Sequence, residues 1–208
     1  MSTTSAYGCF TKWCEKEALS LRANVESGNV EAIEARIARA RRQYSDRMDW
    51  RHAIMRYGKM HQLFSKAYET LGEEKALVLF NYLTKKWGWA EMGTLLTNLL
   101  PRGAPRNLVN VVKDRFIALY KPADGGDLNH PTVIWQAVMA SALRGNAAEM
   151  GSLLALLTLV LERAERDWQC PQLDQATVDR IKPELARSIA TYYRSIEVHR
   201  MYMAQAAV

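Results

Sequence analysis

The sequence has few cysteines and no long apolar run, and each absence excludes a class of protein. Three cysteines among 208 residues, an odd and sparse count, argue against a secreted fold built on disulfides and indicate a reducing compartment. The longest apolar stretch, residues 153–161, is interrupted by Thr158, whereas a membrane helix needs about 20 apolar residues. The first residues lack the basic start and apolar run of a signal peptide. We therefore expect a cytoplasmic protein of a bacterial cell or a viral host.

The motifs of common enzyme classes are also missing. The sequence contains no GxGxxG or Walker-type phosphate loop, no GxSxG nucleophile elbow and no HExxH zinc motif. Cys9 and Cys14 have no second pair that would complete a zinc site. Asp124, Asp127 and His130 share a glycine-containing loop, but it lacks the ligand count and closing glutamate of a calcium loop. We therefore predict no cofactor and no metal.

Helical periodicity dominates the sequence. After a candidate N-cap at Asn29, apolar residues recur at steps of three and four, and Arg36, Arg39 and Arg42 fall on the opposite side. Further helices are predicted over about 8–25, 50–70, 73–87, 90–100, 105–120, 131–144 and 147–168, with breaks at Gly72 and Gly145. A short helix capped by Asp174 and a last one to about residue 204 follow. No alternating run is long enough for a strand. The sequence predicts an all-α fold, a helical bundle or compact orthogonal array of about nine helices without a sheet.

The most irregular segment is KPADGGDLNHP, residues 121–131. Its glycines and prolines interrupt helical periodicity more than any other connection does. We expect one all-α domain over residues 1–208, with a candidate division into two lobes near 121–131.

Positive charge is concentrated in the first half of the chain. Residues 36–66 hold nine Lys or Arg against two Asp, and a second basic group spans residues 85–115. Guanidinium groups pair with phosphates through two hydrogen bonds, and each neutralised phosphate releases counterions. The predicted nucleic-acid-binding residues are Arg36, Arg39, Arg42, Arg47, Arg51, Arg56, Lys59, Lys85, Lys86, Arg102, Arg106 and Lys113. A solvated helix face, or a surface that meets an acidic protein, is the alternative interpretation of the same pattern.

Aromatic residues are interleaved with these cations, among them Trp87 and Trp89. Aromatic rings stack on unpaired bases, which would suit a nucleic-acid surface. Their spacing also suits the core of a helical protein, and the sequence alone favours the core.

An arginine and a histidine five residues apart, Arg194 and His199, lie in the predicted last helix within the sequence RSIEVH. This pattern resembles the catalytic motif of HEPN ribonucleases, which are all-helical and often dimeric. In that family the Arg and His act together at an RNA phosphate and a polar residue follows the Arg, a place that Ser195 fills here. The resemblance covers six residues and the fold class, and a histidine packed on a helix is the alternative.

These observations favour a non-enzymatic, nucleic-acid-binding helical protein that is a subunit of a larger nucleoprotein assembly. An RNA-guided or mobile-element complex and a helical viral coat would both suit it, and both DNA and RNA remain open. The expected partners are nucleic acid and other protein subunits or further copies of the chain, with no membrane. Ribonuclease activity through Arg194 and His199 is one alternative function. A protein-interaction module without nucleic acid is the other.

Overall fold

A computed structural model describes most of the second half of the chain and somewhat less than half of the first. The described residues are Ala32, Ala35, 60–85, 87–123, 125–162 and 168–205. Regular structure within these ranges is helical, and they contain no strand. The all-α prediction is therefore confirmed. None of the helices in these ranges combines the length and the apolar character that a membrane span requires.

Eight α-helices lie in the described part of the chain, with a short 3-10 turn at Leu100–Arg102. Their bounds are α1 (Met60–Leu71), α2 (Glu73–Leu83), α3 (Trp89–Leu99), α4 (Arg106–Leu119), α5 (Pro131–Leu143), α6 (Ala147–Leu161), α7 (Gln175–Arg180) and α8 (Pro183–Gln205). The helices predicted before residue 50 lie outside the described residues, apart from Ala32 and Ala35, which are helical.

The chain divides into two compact units, Met1–Leu119 and Tyr120–Val208. The junction precedes the irregular segment 121–131 by one residue. The single-domain organisation stays a prediction.

The described part of the first unit contains α1 to α4 around an apolar core. Gly72 has a φ of +79°, a backbone conformation that L side chains rarely adopt, and it separates α1 from α2. The Phe64 ring of α1 meets the Phe80 ring of α2 edge to face, with centroids 5.0 Å apart. The largest fully buried side chains of this core are Phe64, Leu79, Phe80, Met92, Leu96, Leu99, Leu108 and Phe116.

The helix α2 is shorter than the sequence predicts. We expected it to extend toward Trp87, but it ends at Leu83. The Thr84 hydroxyl and the Thr84 backbone N–H both donate to the Phe80 carbonyl, at 2.7 and 3.0 Å. Gly88 is the N-cap of the next helix, and its N–H donates to the Glu91 carboxylate at 3.0 Å. A separate helix therefore begins at Trp89 with its own cap, which leaves no room for α2 to extend to Trp87.

In the second unit, α5 and α6 form a helical hairpin around Gly145. The Gly145 and Asn146 N–H groups donate to the carbonyls of Ala142 and Ser141, which is the Schellman ending of a helix. Gly145 has the required left-handed conformation, with a φ of +71°. Asn146 then caps α6 by accepting a hydrogen bond from the Glu149 N–H at 3.2 Å. The predicted break at Gly145 is confirmed, and α6 ends at Leu161 instead of near 168.

The helix α8 packs along this hairpin. The Tyr192 hydroxyl lies 3.2 Å from the Thr158 hydroxyl near the end of α6. The Tyr193 ring meets the Trp135 ring of α5 edge to face, with centroids 5.1 Å apart. A Cβ at Gly145 would lie 3.2 Å from the Lys182 side chain at the start of α8. These contacts make α8 parallel to α6 and antiparallel to α5.

Candidate nucleic-acid interface

The first basic group of the sequence lies almost entirely outside the described residues. The predicted binding residues outside them are Arg36, Arg39, Arg42, Arg47, Arg51, Arg56, Lys59 and Lys86. The structure therefore places only Lys85, Arg102, Arg106 and Lys113 from the predicted interface.

Two hydrogen-bonded contacts fix the relation of α2 and α4, which carry part of the second basic group. The Asn107 side-chain amide lies 2.9 Å from both carboxylate oxygens of Glu73. Eight residues further along both helices, the Arg115 guanidinium donates to Asn81 Oδ1 at 3.3 Å. A constant offset of 34 residues means that α2 and α4 run parallel, with their first turns at the same end.

Arg115 is a structural residue in this arrangement. Its guanidinium Nη1 donates a 2.6 Å hydrogen bond to the hydroxyl of Thr84, which is buried. Its Cζ lies 5.7 Å from the centre of the Phe80 ring, within reach of a cation–π interaction. The Arg115 guanidinium therefore contacts Thr84 and Phe80 at the end of α2 and is not presented to a phosphate.

Lys113, which the sequence predicts to bind nucleic acid, is a buried residue with 8% of its surface exposed. Val109 and Phe116, four residues before and three after it, are buried on the same face of α4. The Lys113 ammonium lies 3.0 Å from the carboxylate of Asp114. This spacing was visible in the sequence, and it should have placed Lys113 on the apolar face.

Lys85, Arg102 and Arg106 are exposed, but they do not lie together. Arg106 opens α4, whose first turn is beside Glu73 at the start of α2. Lys85 follows the other end of α2, and an 11-residue helix is about 16 Å long. The Arg102 guanidinium is hydrogen-bonded to the Asn98 carbonyl at 2.8 Å. The structure therefore places Arg106 and Lys85 at opposite ends of α2.

Trp87 and Trp89, for which the sequence favoured core positions, are partly exposed. They flank Gly88, whose backbone is extended with φ −93° and ψ −174°. Phe64, Phe80 and Phe116 of the same unit are fully buried. The two tryptophans therefore border the surface at the Lys85 end of α2.

A buried polar cluster in the second unit was missed by the sequence analysis. Glu149 is 7% exposed, and its Oε1 accepts a 2.9 Å hydrogen bond from the Tyr120 hydroxyl. Its Oε2 accepts from Arg144 at 2.9 Å and from the Asn146 amide at 3.0 Å. An Asn N-cap followed three residues later by Glu is a capping-box pattern, and it was the available signal.

Hydrogen bonding sets the ionisation of this cluster. Although burial alone raises the pKa of a carboxyl group, the hydrogen bonds from Arg144 and Tyr120 outweigh it and lower the Glu149 pKa below its usual value. Burial, with the Glu149 carboxylate beside it, raises the Tyr120 pKa to about 12. Glu149 is therefore ionised and Tyr120 is neutral. The hydrogen bond between them holds Tyr120 against the α5–α6 hairpin.

Arg194 and His199, the residues of the HEPN-like pattern, both lie on α8. Arg194 is exposed, and the Ser195 hydroxyl donates to the Thr191 carbonyl at 2.8 Å. Positions five residues apart on an α-helix are about 140° apart around its axis. Ribonuclease activity through this pair stays a prediction.

Metal ligands do not gather within the described ranges. No group of three His, Cys, Asp or Glu side chains that could hold a metal ion occurs there. The Asp127 carboxylate of the glycine-containing loop instead accepts from the Asn129 backbone N–H at 2.9 Å.

No protein-family model, curated protein or solved structure matches this chain. The fold defines it as an all-α protein, and its function must be inferred from its own residues.

Proposed function

We propose that this chain is a non-enzymatic, nucleic-acid-binding helical protein that works as a subunit of a larger nucleoprotein assembly. The observation that carries the proposal is the excess of nine Lys or Arg over two Asp within residues 36–66. A surface of this charge attracts the phosphate backbone, and counterion release then supplies affinity without sequence preference.

The described residues support the proposal in two places. Ala35, one residue before the first basic group, is helical and exposed. Lys85, Arg102 and Arg106 of the same unit are also exposed, so their charges lie at the surface of this unit.

Lys113 is the one predicted ligand that we leave out of the proposed interface. Its side chain is buried and its ammonium is paired with Asp114, so its charge is not presented to a phosphate. The proposed interface therefore consists of the first basic group, Lys85, Lys86, Arg102 and Arg106. We place the protein in the cytoplasm of a bacterial cell or a viral host, in an RNA-guided or mobile-element complex or a helical viral coat.

Binding to labelled oligonucleotides over a range of salt concentrations tests the proposal. We expect the logarithm of the association constant to fall linearly with the logarithm of the salt concentration, by about 0.7 per phosphate neutralised on a single strand. Absence of binding to both single-stranded and duplex DNA and RNA at low salt would contradict the proposal and favour a protein-interaction module.

The same samples test the ribonuclease alternative. We expect labelled RNA to remain intact after incubation with the protein. Cleavage that disappears in the His199→Ala variant would replace the proposal with the HEPN-like activity, whereas cleavage that persists would indicate a contaminating nuclease.

A further inference from the structure

Trp87 and Trp89 flank Gly88 at the point where the connection between α2 and α3 ends. Lys85, Gly88 and Ala90 around them are all exposed. In the part of the chain that the structure describes, the Trp87 side chain makes no hydrogen bond, ion pair or ring contact. This differs from Trp168 of the second unit, whose indole N–H donates to the Thr132 hydroxyl at 3.0 Å.

The backbone between the two tryptophans spaces them apart. Gly88 is extended, and an extended residue advances the chain by about 3.3 Å, so the two indoles leave the backbone roughly 7 Å apart. Gly88 itself adds no side chain between them. Glu91, two residues after Trp89, is engaged as the cap of α3 through the Gly88 N–H.

We propose that the connection Trp87-Gly88-Trp89 is a stacking site for unpaired bases of a single-stranded nucleic acid, with Lys85 supplying a phosphate contact. Every base has a π-face, so partly exposed indoles beside a cation bind single strands without sequence preference. Bases of a duplex are stacked on one another and are not available to the indoles. This inference rests on the proposed function and refines it from nucleic acid in general to single strands at a named position.

The test compares a fluorescein-labelled oligodeoxythymidine of about 12 nucleotides with a hairpin duplex that carries the same label. Binding is measured with the full chain and with the Trp87→Leu and Trp87→Phe variants. We expect Trp87→Leu to weaken single-strand binding about 5- to 150-fold, because one stacked base is lost. Trp87→Phe keeps an aromatic face and should recover most of the affinity.

Two further readouts separate stacking from a folding defect. The salt slope should be unchanged in Trp87→Leu, whereas Lys85→Gln should lower it by about 0.7 on the single strand. Duplex binding and the circular dichroism spectrum should be the same in both Trp87 variants as in the parent protein.

The outcomes that overturn the inference are distinct from one another. Salt-dependent binding that is unaffected by Trp87→Leu would remove the stacking site and leave the proposed function in place. An equal loss for single strand and duplex would assign Trp87 a structural role. If neither the single strand nor the duplex binds at low salt, both the inference and the proposed function are overturned.

Discussion

The Tyr120 hydroxyl donates a 2.9 Å hydrogen bond to Oε1 of Glu149, 29 residues further along the chain. The same carboxylate accepts from Arg144 and Asn146 at the tight turn that joins α5 to α6. One buried carboxylate therefore links the start of the second unit to the hairpin turn and to the first turn of α6.

The first prediction concerns the loss of this carboxylate. Glu149→Gln should lower the free energy of unfolding by about 1–3 kcal/mol, because an amide cannot accept all of these hydrogen bonds and leaves buried partners unsatisfied. Urea denaturation followed by circular dichroism measures the change. Glu197→Gln, at an exposed position of α8, is the matched control and should change stability by less than about 0.5 kcal/mol. Equal effects of the two variants would contradict a structural role for Glu149.

The second prediction concerns acid. Because the Glu149 pKa is lower in the folded protein than in the unfolded chain, its carboxylate stabilises the fold above the unfolded value. That contribution is lost as the pH falls below about 4.5 and through the folded pKa. The parent protein should therefore lose more stability than Glu149→Gln between about pH 5 and 3. Parallel stability curves for the two proteins in this range would argue against a lowered pKa.

The third prediction concerns the turn between α5 and α6. Gly145→Ala should cost about 1–2 kcal/mol because position 145 is left-handed, and its Cβ would also press on the Lys182 side chain. Gly151→Ala is the same substitution inside α6, with nothing within 4 Å of the new Cβ. It should stabilise the protein by about 0.5–1 kcal/mol. Thermal melts of both variants check that their stability changes have opposite signs. No change in stability for Gly145→Ala would rule out the Schellman turn.

The fourth prediction separates structural arginines from surface ones in the first unit. Arg115→Ala removes the hydrogen bond to Thr84 and the contact with Phe80, and should cost about 1–2 kcal/mol. Arg102→Ala alters two exposed hydrogen bonds to Asn98 and should stay within about 0.5 kcal/mol of the parent protein. The denaturation midpoints of the two variants measure the difference in stability. A larger loss of stability for Arg102→Ala than for Arg115→Ala would contradict the structural role of Arg115.

Features set by neighbouring residues could be predicted from the sequence. The breaks at Gly72 and Gly145 and the cap at Asp174 were predicted correctly, since each depends on local backbone chemistry. The end of α2 was predicted too late, because the cap of α3 at Gly88 was not anticipated.

The candidate site was harder to predict than the helices. A basic residue counts equally toward a charge cluster whether it faces solvent or the core, so charge counting included Lys113. The position of Arg115 over Phe80 depends on the parallel pairing of α2 and α4, which no local pattern specifies. The partner of Glu149 at Tyr120 likewise depends on tertiary packing.

The most direct test of the central claim compares two charge-matched triple variants in salt titrations of oligonucleotide binding. One carries Arg36→Gln, Arg39→Gln and Arg42→Gln. The other carries Arg180→Gln, Arg187→Gln and Arg194→Gln, at exposed positions of the second unit. We predict that the first lowers affinity and reduces the salt slope by about 2–3, whereas the second leaves both nearly unchanged. Equal effects of the two triples, or none from the first, would contradict binding through the first basic group.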